Sequence, residues 1–222
     1  MQDMLHRRQI VPSSVLMLLA LVLAVLALFL FGWLAEEVHE HEAIRFDNQV
    51  RNALHAFASP PLTLFLRVVS NANGPLAMLV YTLAAVGLFW SRGHRTSAIL
   101  VGVTMGGGVC LDGALKLAFH RARPATYFGL PTPDTFSFPS GHSLMSLCFY
   151  GVTAYLVSVH VDSPRRRFWV RAGGVLMVLL VGASRIYLGV HYPSDVVAGF
   201  AAGLVWLTAI VFAYRRLVHG VA

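Results

Sequence analysis

Lys116 and Arg123 stand seven positions apart at the end of an apolar run, with Asp112 four residues before the lysine. A planar, forked guanidinium beside a point-charge ammonium suits the spreading of charge on phosphate oxygens. On a helix, Asp112 shares a face with Lys116 and can neutralise or orient it. Snorkelling of long basic side chains to a membrane interface is the plainer explanation, and for Arg121 it is the preferred one. A second group, Pro139-Ser140-Gly141-His142, precedes another apolar run. Ser140 there reads as a helix N-cap. The free N–H groups of a helix start bind phosphate readily, and Gly141 leaves room for an anion near the backbone. Capping alone would also explain the serine and the glycine. Ser184-Arg185, His191 and Asp195 form the third group. Arg185 interrupts apolar sequence, where a cation is costly and is kept mainly for function. A carboxylate four residues from a histidine can hold the ring by one nitrogen and leave the other free to attack. It would also stabilise the imidazolium that forms.

The elements that must position these groups are membrane helices. The chain has 222 residues, 57% of them hydrophobic and 12% charged; a soluble domain carries about twice that charged fraction. Mean hydropathy is +0.67. A bilayer core takes roughly 20 apolar residues per helix, and six candidates follow, at 15–34, 76–90, 97–119, 142–160, 172–188 and 195–214. The first has His6, Arg7 and Arg8 before it, but its apolar stretch is too long for a signal peptide and lacks a small-x-small cleavage site. It reads as a retained anchor. Phe46, Val50, Leu54 and Phe57 recur at helical spacing, which predicts a short helix on the outer surface, ended by Pro60 and Pro61. Residues 70–75 read as an outer turn, and 91–95 and 162–171 as basic inner loops. The proline-rich stretch 120–138 reads as a stiff loop at the rim of a site. Gly106, Gly107 and Gly108 permit close helix contact in lipid.

Basic residues near helix ends set the orientation. Arg7, Arg8, Arg92, Arg95, Arg165, Arg166, Arg167, Arg171, Arg215 and Arg216 fall at one set of ends. Arg45, Arg51, Arg67, Lys116, Arg121, Arg123 and Arg185 fall at the other, where Glu36, Glu37, Glu40, Glu42, Asp47, Asp134 and Asp195 offset them. Both termini therefore belong inside, and all three polar groups belong at the outer face. The net charge of +7 is then a topology signal, not a sign of nucleic-acid binding. Cys110 and Cys148 fall in predicted helices and give neither a disulfide framework nor a CxxC metal pattern. His39-Glu40-His41-Glu42 has ligand-type side chains without the spacing of a zinc motif. No metal or other cofactor is expected. With no internal repeat or linker, residues 1–222 read as a single all-α membrane domain.

In order and spacing, Lys116-x6-Arg123-Pro124, Pro139-Ser140-Gly141-His142 and Ser184-Arg185-x5-His191-x3-Asp195 resemble the tripartite signature of the type 2 phosphatidic acid phosphatase superfamily. The likeness covers about residues 62–214 and implies six membrane helices with an outer active site. It implies that His191 is the nucleophile and forms a phosphohistidine, that Asp195 orients it, and that His142 protonates the leaving alkoxide and later activates water. Lys116, Arg123, Ser140, Gly141 and Arg185 would hold the phosphoryl oxygens, with Ser184 joining them and Asp112 behind Lys116. Phosphoryl transfer needs mainly positioning and charge stabilisation, which three cations and a helix N-terminus can supply without a metal. His120 and Tyr127 fall near the site, where they would shape headgroup binding.

The activity expected from this resemblance is hydrolysis of a lipid phosphate or diphosphate at the periplasmic face of a bacterial inner membrane. Phosphatidic acid, phosphatidylglycerol phosphate and undecaprenyl diphosphate are the implied substrates, and outer-leaflet access favours the last. A lipid phosphotransferase with the same histidine shares the chemistry; release of free phosphate tells the two apart. The vanadium haloperoxidases use a similar anion pocket but are soluble. A non-catalytic lipid-phosphate binding or transport protein is the rival of another class, and neither a repeated half nor an interrupted helix pair points to it. The expected partners are the bilayer and a lipid phosphate, with no nucleic acid; the sequence leaves the oligomeric state open.

Overall fold

A computed structural model describes residues 13–219, so His6, Arg7, Arg8 and both chain ends lie outside the described residues. Among the described residues all regular structure is helical: α1 (Ser13–His39), α2 (Ala43–His55), α3 (Pro60–Ala72), α4 (Pro75–Ser91), α5 (Arg95–Phe119), α6 (Gly141–His160), α7 (Pro164–Tyr187) and α8 (Pro193–His219). Five of these, α1 and α5 to α8, are long and apolar enough to cross a bilayer. The pair α3 and α4, bent by 53° at a short break, makes a sixth when counted as one span.

Proline opens α3, α4, α7 and α8. Its missing N–H is one that a first turn leaves unpaired anyway, and its fixed φ suits the first helical position. Two sequence readings are corrected by this. Pro60 and Pro61 do not close the amphipathic helix α2, which ends at His55; they open α3, a helix absent from the sequence reading. Pro164 opens α7 eight residues early, so Arg165, Arg166, Arg167 and Arg171 stand in helical turns instead of a loop.

The central helix is α6, which packs against α5, α7 and α8, while α1 lies along α8 and α4 along α5. Leu144, Cys148, Val152 and Leu156 of α6 are buried with Met78, Leu100, Val101, Met105 and Ala202. Small residues on α8 let the two backbones approach. A Cβ at Gly199 would come within 2.6 Å of the Ser140 carbonyl oxygen, and one at Gly203 within 3.1 Å of that of Leu144. This is close packing of the GxxxG kind. In the glycine run of α5, Gly107 makes way for Trp206 and Gly108 for Met145, whereas Gly106 faces open space. Phe138 is fully buried against Phe31 of α1 and Phe119 of α5, which pins the loop 120–138 to the bundle. The C-terminal ends of α5 and α7 and the N-terminal ends of α6 and α8 thereby meet at one end, beside α2.

Candidate active site

His191 occupies the turn between α7 and α8 and is 1% exposed. Gly189 shapes that turn with φ 75°, and a Cβ there would strike Tyr127. Asp195 lies one helical turn further on, fully buried, with Oδ2 3.3 Å from His191 Nδ1. The same oxygen accepts the Tyr192 N–H at 2.8 Å and the Ser137 hydroxyl. On the other side of the ring, Arg123 Nη1 is 3.0 Å from Nε2. A guanidinium can only donate, so Nε2 is the acceptor, and the ring hydrogen sits on Nδ1, facing Asp195. Burial pushes His191 down to about 4, against the opposing pull of Asp195 and its hydrogen bond. The result is a neutral imidazole with a fixed tautomer and its free lone pair turned toward a cation.

Arg123 is itself held in place. Its Nε donates to the Thr135 carbonyl at 2.7 Å and its Nη1 to the Val190 carbonyl at 2.8 Å. Burial lowers its pKa, while Asp195 and Asp112 pull it back up. In the last turn of α5, Lys116 donates to both oxygens of Asp112, at 2.7 and 2.5 Å, the pairing that the four-residue spacing anticipates. A Cβ at Gly141 would come within 2.9 Å of both Lys116 Nζ and Asp112 Oδ2, so the ion pair abuts the start of α6. Arg185, in the last turn of α7, donates from Nη1 to the Ser70 hydroxyl of α3, and its buried Nε has no partner. His142 stands half-buried in the first turn of α6, within electrostatic range of Arg185, His191, Lys116 and Arg123.

Ser140 occupies the N-cap position in extended conformation, but its hydroxyl does not cap α6. That oxygen accepts from Ser143 Oγ at 3.0 Å, and the Ser140 N–H donates to the Asp195 carbonyl at 2.9 Å. The first turn of α6 is therefore open to an outside anion. Ser184 departs from expectation: fully buried, it donates to the Val181 carbonyl at 2.6 Å within its own helix and does not join the cations.

Arg121 is the clearest correction. Far from snorkelling, it donates from Nη1 to Asp195 Oδ1 at 2.6 Å and from Nη2 to Asp47 Oδ2 at 2.7 Å. Ser137, Asp47 and Ser70 are further contributors with no place in the sequence reading of the site. Their partners lie 58, 147 and 115 residues away, so no local spacing could reveal them. The loop residue Tyr127 stacks on His55 at 3.9 Å and donates to Asn52, while His120 closes α5 in left-handed conformation and is exposed. The residues His39, Glu40, His41 and Glu42 form the exposed junction of α1 and α2. No group of three or more His, Cys, Asp or Glu side chains among the described residues is arranged to hold a metal.

Known proteins share this layout. The model of the PAP2 superfamily matches residues 97–218. Phosphatidylglycerophosphatase B of Bacillus subtilis is 32% identical over 182 residues, which cover 80% of this chain and 88% of that protein. An undecaprenyl-diphosphatase of Sulfolobus acidocaldarius is 38% identical over 124 residues, 54% of this chain and 55% of its own. The crystal structure of a transmembrane PAP2 type phosphatidylglycerolphosphate phosphatase from Bacillus subtilis superposes with a TM-score of 0.81. It is 26% identical, and the match covers 89% of this chain and 98% of that one. Sequence, helix arrangement and the meeting of three distant polar segments thus agree that the chain belongs to the PAP2 superfamily.

Proposed function

We propose that the chain is a membrane phosphatase that hydrolyses a lipid phosphomonoester or diphosphate through a phosphohistidine on His191, without a metal. The observation that carries this reading is the setting of His191, clasped between Asp195 at Nδ1 (3.3 Å) and Arg123 at Nε2 (3.0 Å). A neutral ring with its hydrogen on the Asp195 side is ready to attack with the other nitrogen, and a bound phosphate would take over the Arg123 N–H. Lys116, Arg123, Arg185 and the open first turn of α6, with Ser140 and Gly141, would hold the phosphoryl oxygens and the charge that grows on them. Nε2 forms a bond to phosphorus as the bond to the lipid oxygen breaks, and His142 gives that oxygen a proton. Water, deprotonated by His142, then attacks phosphorus and releases inorganic phosphate, which restores His191. Asp112 would set the position of Lys116.

Two relatives are named for phosphatidylglycerol phosphate and undecaprenyl diphosphate, which supports a lipid carrying a terminal phosphate as substrate. The bias of basic residues favours a bacterial inner membrane with both termini in the cytoplasm and the site on the periplasmic side. The test uses purified full-length protein in detergent with lipid monophosphates and diphosphates, in the presence of chelator. Free phosphate is the expected product, vanadate the expected inhibitor, and His191→Ala is expected to abolish turnover while unfolding at an unchanged temperature. Full activity of His191→Ala, dependence on added metal, or transfer of phosphate to another lipid instead of water would overturn the reading.

A further inference from the structure

Helix α2 turns polar residues inward, toward the bundle. Its buried residues are Asp47 and Arg51, whereas its large apolar residues Ile44 and Phe46 are exposed. Exposed apolar residues suit a helix at a membrane surface, but two buried charges do not follow from that placement, and a buried carboxylate is costly unless fully paired. Asp47 is fully paired, and every partner leads to the site. Its Oδ2 accepts from Arg121 Nη2 at 2.7 Å and from Ser194 Oγ at 2.6 Å, and its Oδ1 accepts the Ser194 N–H at 2.9 Å. Arg121 in turn donates to Asp195 Oδ1 at 2.6 Å and lies over the Tyr192 ring at 4.1 Å. Arg51, one turn along α2, donates to the carbonyls of Ala125 and Gly189, which flank the site on the loop and on the His191 turn.

We propose that Asp47 and Arg121 are positioning residues for the His191–Asp195 pair, which makes α2 a working part of the catalytic apparatus. This rests on the reading of His191 as nucleophile. The forked guanidinium of Arg121 fits between two carboxylates, one on α2 and one on α8, in a geometry that lysine cannot reproduce. It holds one oxygen of Asp195 so that the other stays aimed at His191 Nδ1, and Asp47 prevents Arg121 from turning away. Residue 47 lies outside the segment 97–218 that matches the family model, so this contribution comes from a part of the chain beyond that shared core.

The experiment measures steady-state hydrolysis of a lipid phosphate by the full chain for Asp47→Asn, Arg121→Gln and the double variant, with His191→Ala as reference. Asp47→Asn is expected to lower kcat about ten- to a hundredfold, as misplacement of a reacting group does. KM and inhibition by free phosphate should stay within about threefold, because the phosphate-holding cations are untouched. Since both residues act along one line, the double variant should be no slower than Arg121→Gln alone. Should Asp47→Asn fail to fold, Arg121→Lys, which keeps the charge and loses the fork, carries the same expectation for kcat and KM. A wild-type kcat, a change confined to KM, or additive losses in the double variant would overturn the inference while an inactive His191→Ala left the nucleophile reading intact. An active His191→Ala would overturn both.

Discussion

At the scale of single residues, burial decides the chemistry of His191. A free imidazole titrates near about 6.5, and burial brings this one to about 4. A lowered pKa keeps the ring neutral, so the form proposed to attack phosphorus persists as pH falls and is lost only on passing through the lower value. In single turnover with an aryl phosphate, whose leaving group needs no proton from His142, and with correction for ionisation of the substrate, the rate of phosphoenzyme formation should stay flat from about pH 7 to 5 and fall near 4. A limb centred at the free imidazole value would refute this. The residues that make up the family signature were readable because each carries its chemistry in type and spacing: Lys116 with Asp112, His191 with Asp195. Arg121 was not, because an arginine two residues from Arg123 has nothing local to mark it as bridging two buried carboxylates. The family resemblance gave Ser184 a phosphate contact, whereas its hydroxyl donates to the Val181 carbonyl, as a serine inside a helix can.

Among the elements, the joint between α6 and α8 holds the helix start that is proposed to receive the phosphate. Gly199 allows it, since any Cβ there would meet a backbone oxygen that cannot move aside without shifting α6. Gly199→Ala should therefore cost about 1–3 kcal/mol by overpacking and slow phosphate release by displacing Ser140 and Gly141. Gly87→Ala, on α4 with nothing near its Cβ, should leave both unchanged. Thermal unfolding in detergent together with a phosphate assay checks the pair, and equal behaviour of the two variants would refute the assignment. The spans α1, α5, α6 and α8 were legible from apolar length, and α2 from its helical spacing. The errors gathered at prolines. A proline reads as a breaker along a sequence, yet at Pro60 and Pro164 it begins a helix, and only the residues after it distinguish the two uses.

For the whole molecule, the charge bias makes a directional prediction. Cysteine at Thr132, exposed in the loop beside the site, should react with a membrane-impermeant maleimide in intact cells; cysteine at Asp162, exposed before α7, should react only after lysis. Buried Cys148 should stay silent in both, and Cys110 is replaced by serine as background. The reverse pattern would invert the topology. A last consequence belongs to the bent pair α3 and α4. At 17 residues α4 is about 26 Å long, short of a hydrocarbon core of about 30 Å, and α3 makes up the length when the two are counted as one span. Ser70, in the last turn of α3 before the bend, is the residue that grips Arg185. Viewed so, the pair is a jointed strut: lipid of a different chain length would load it at the joint, and the load would reach Arg185, a guanidinium whose Nε has no partner to steady it.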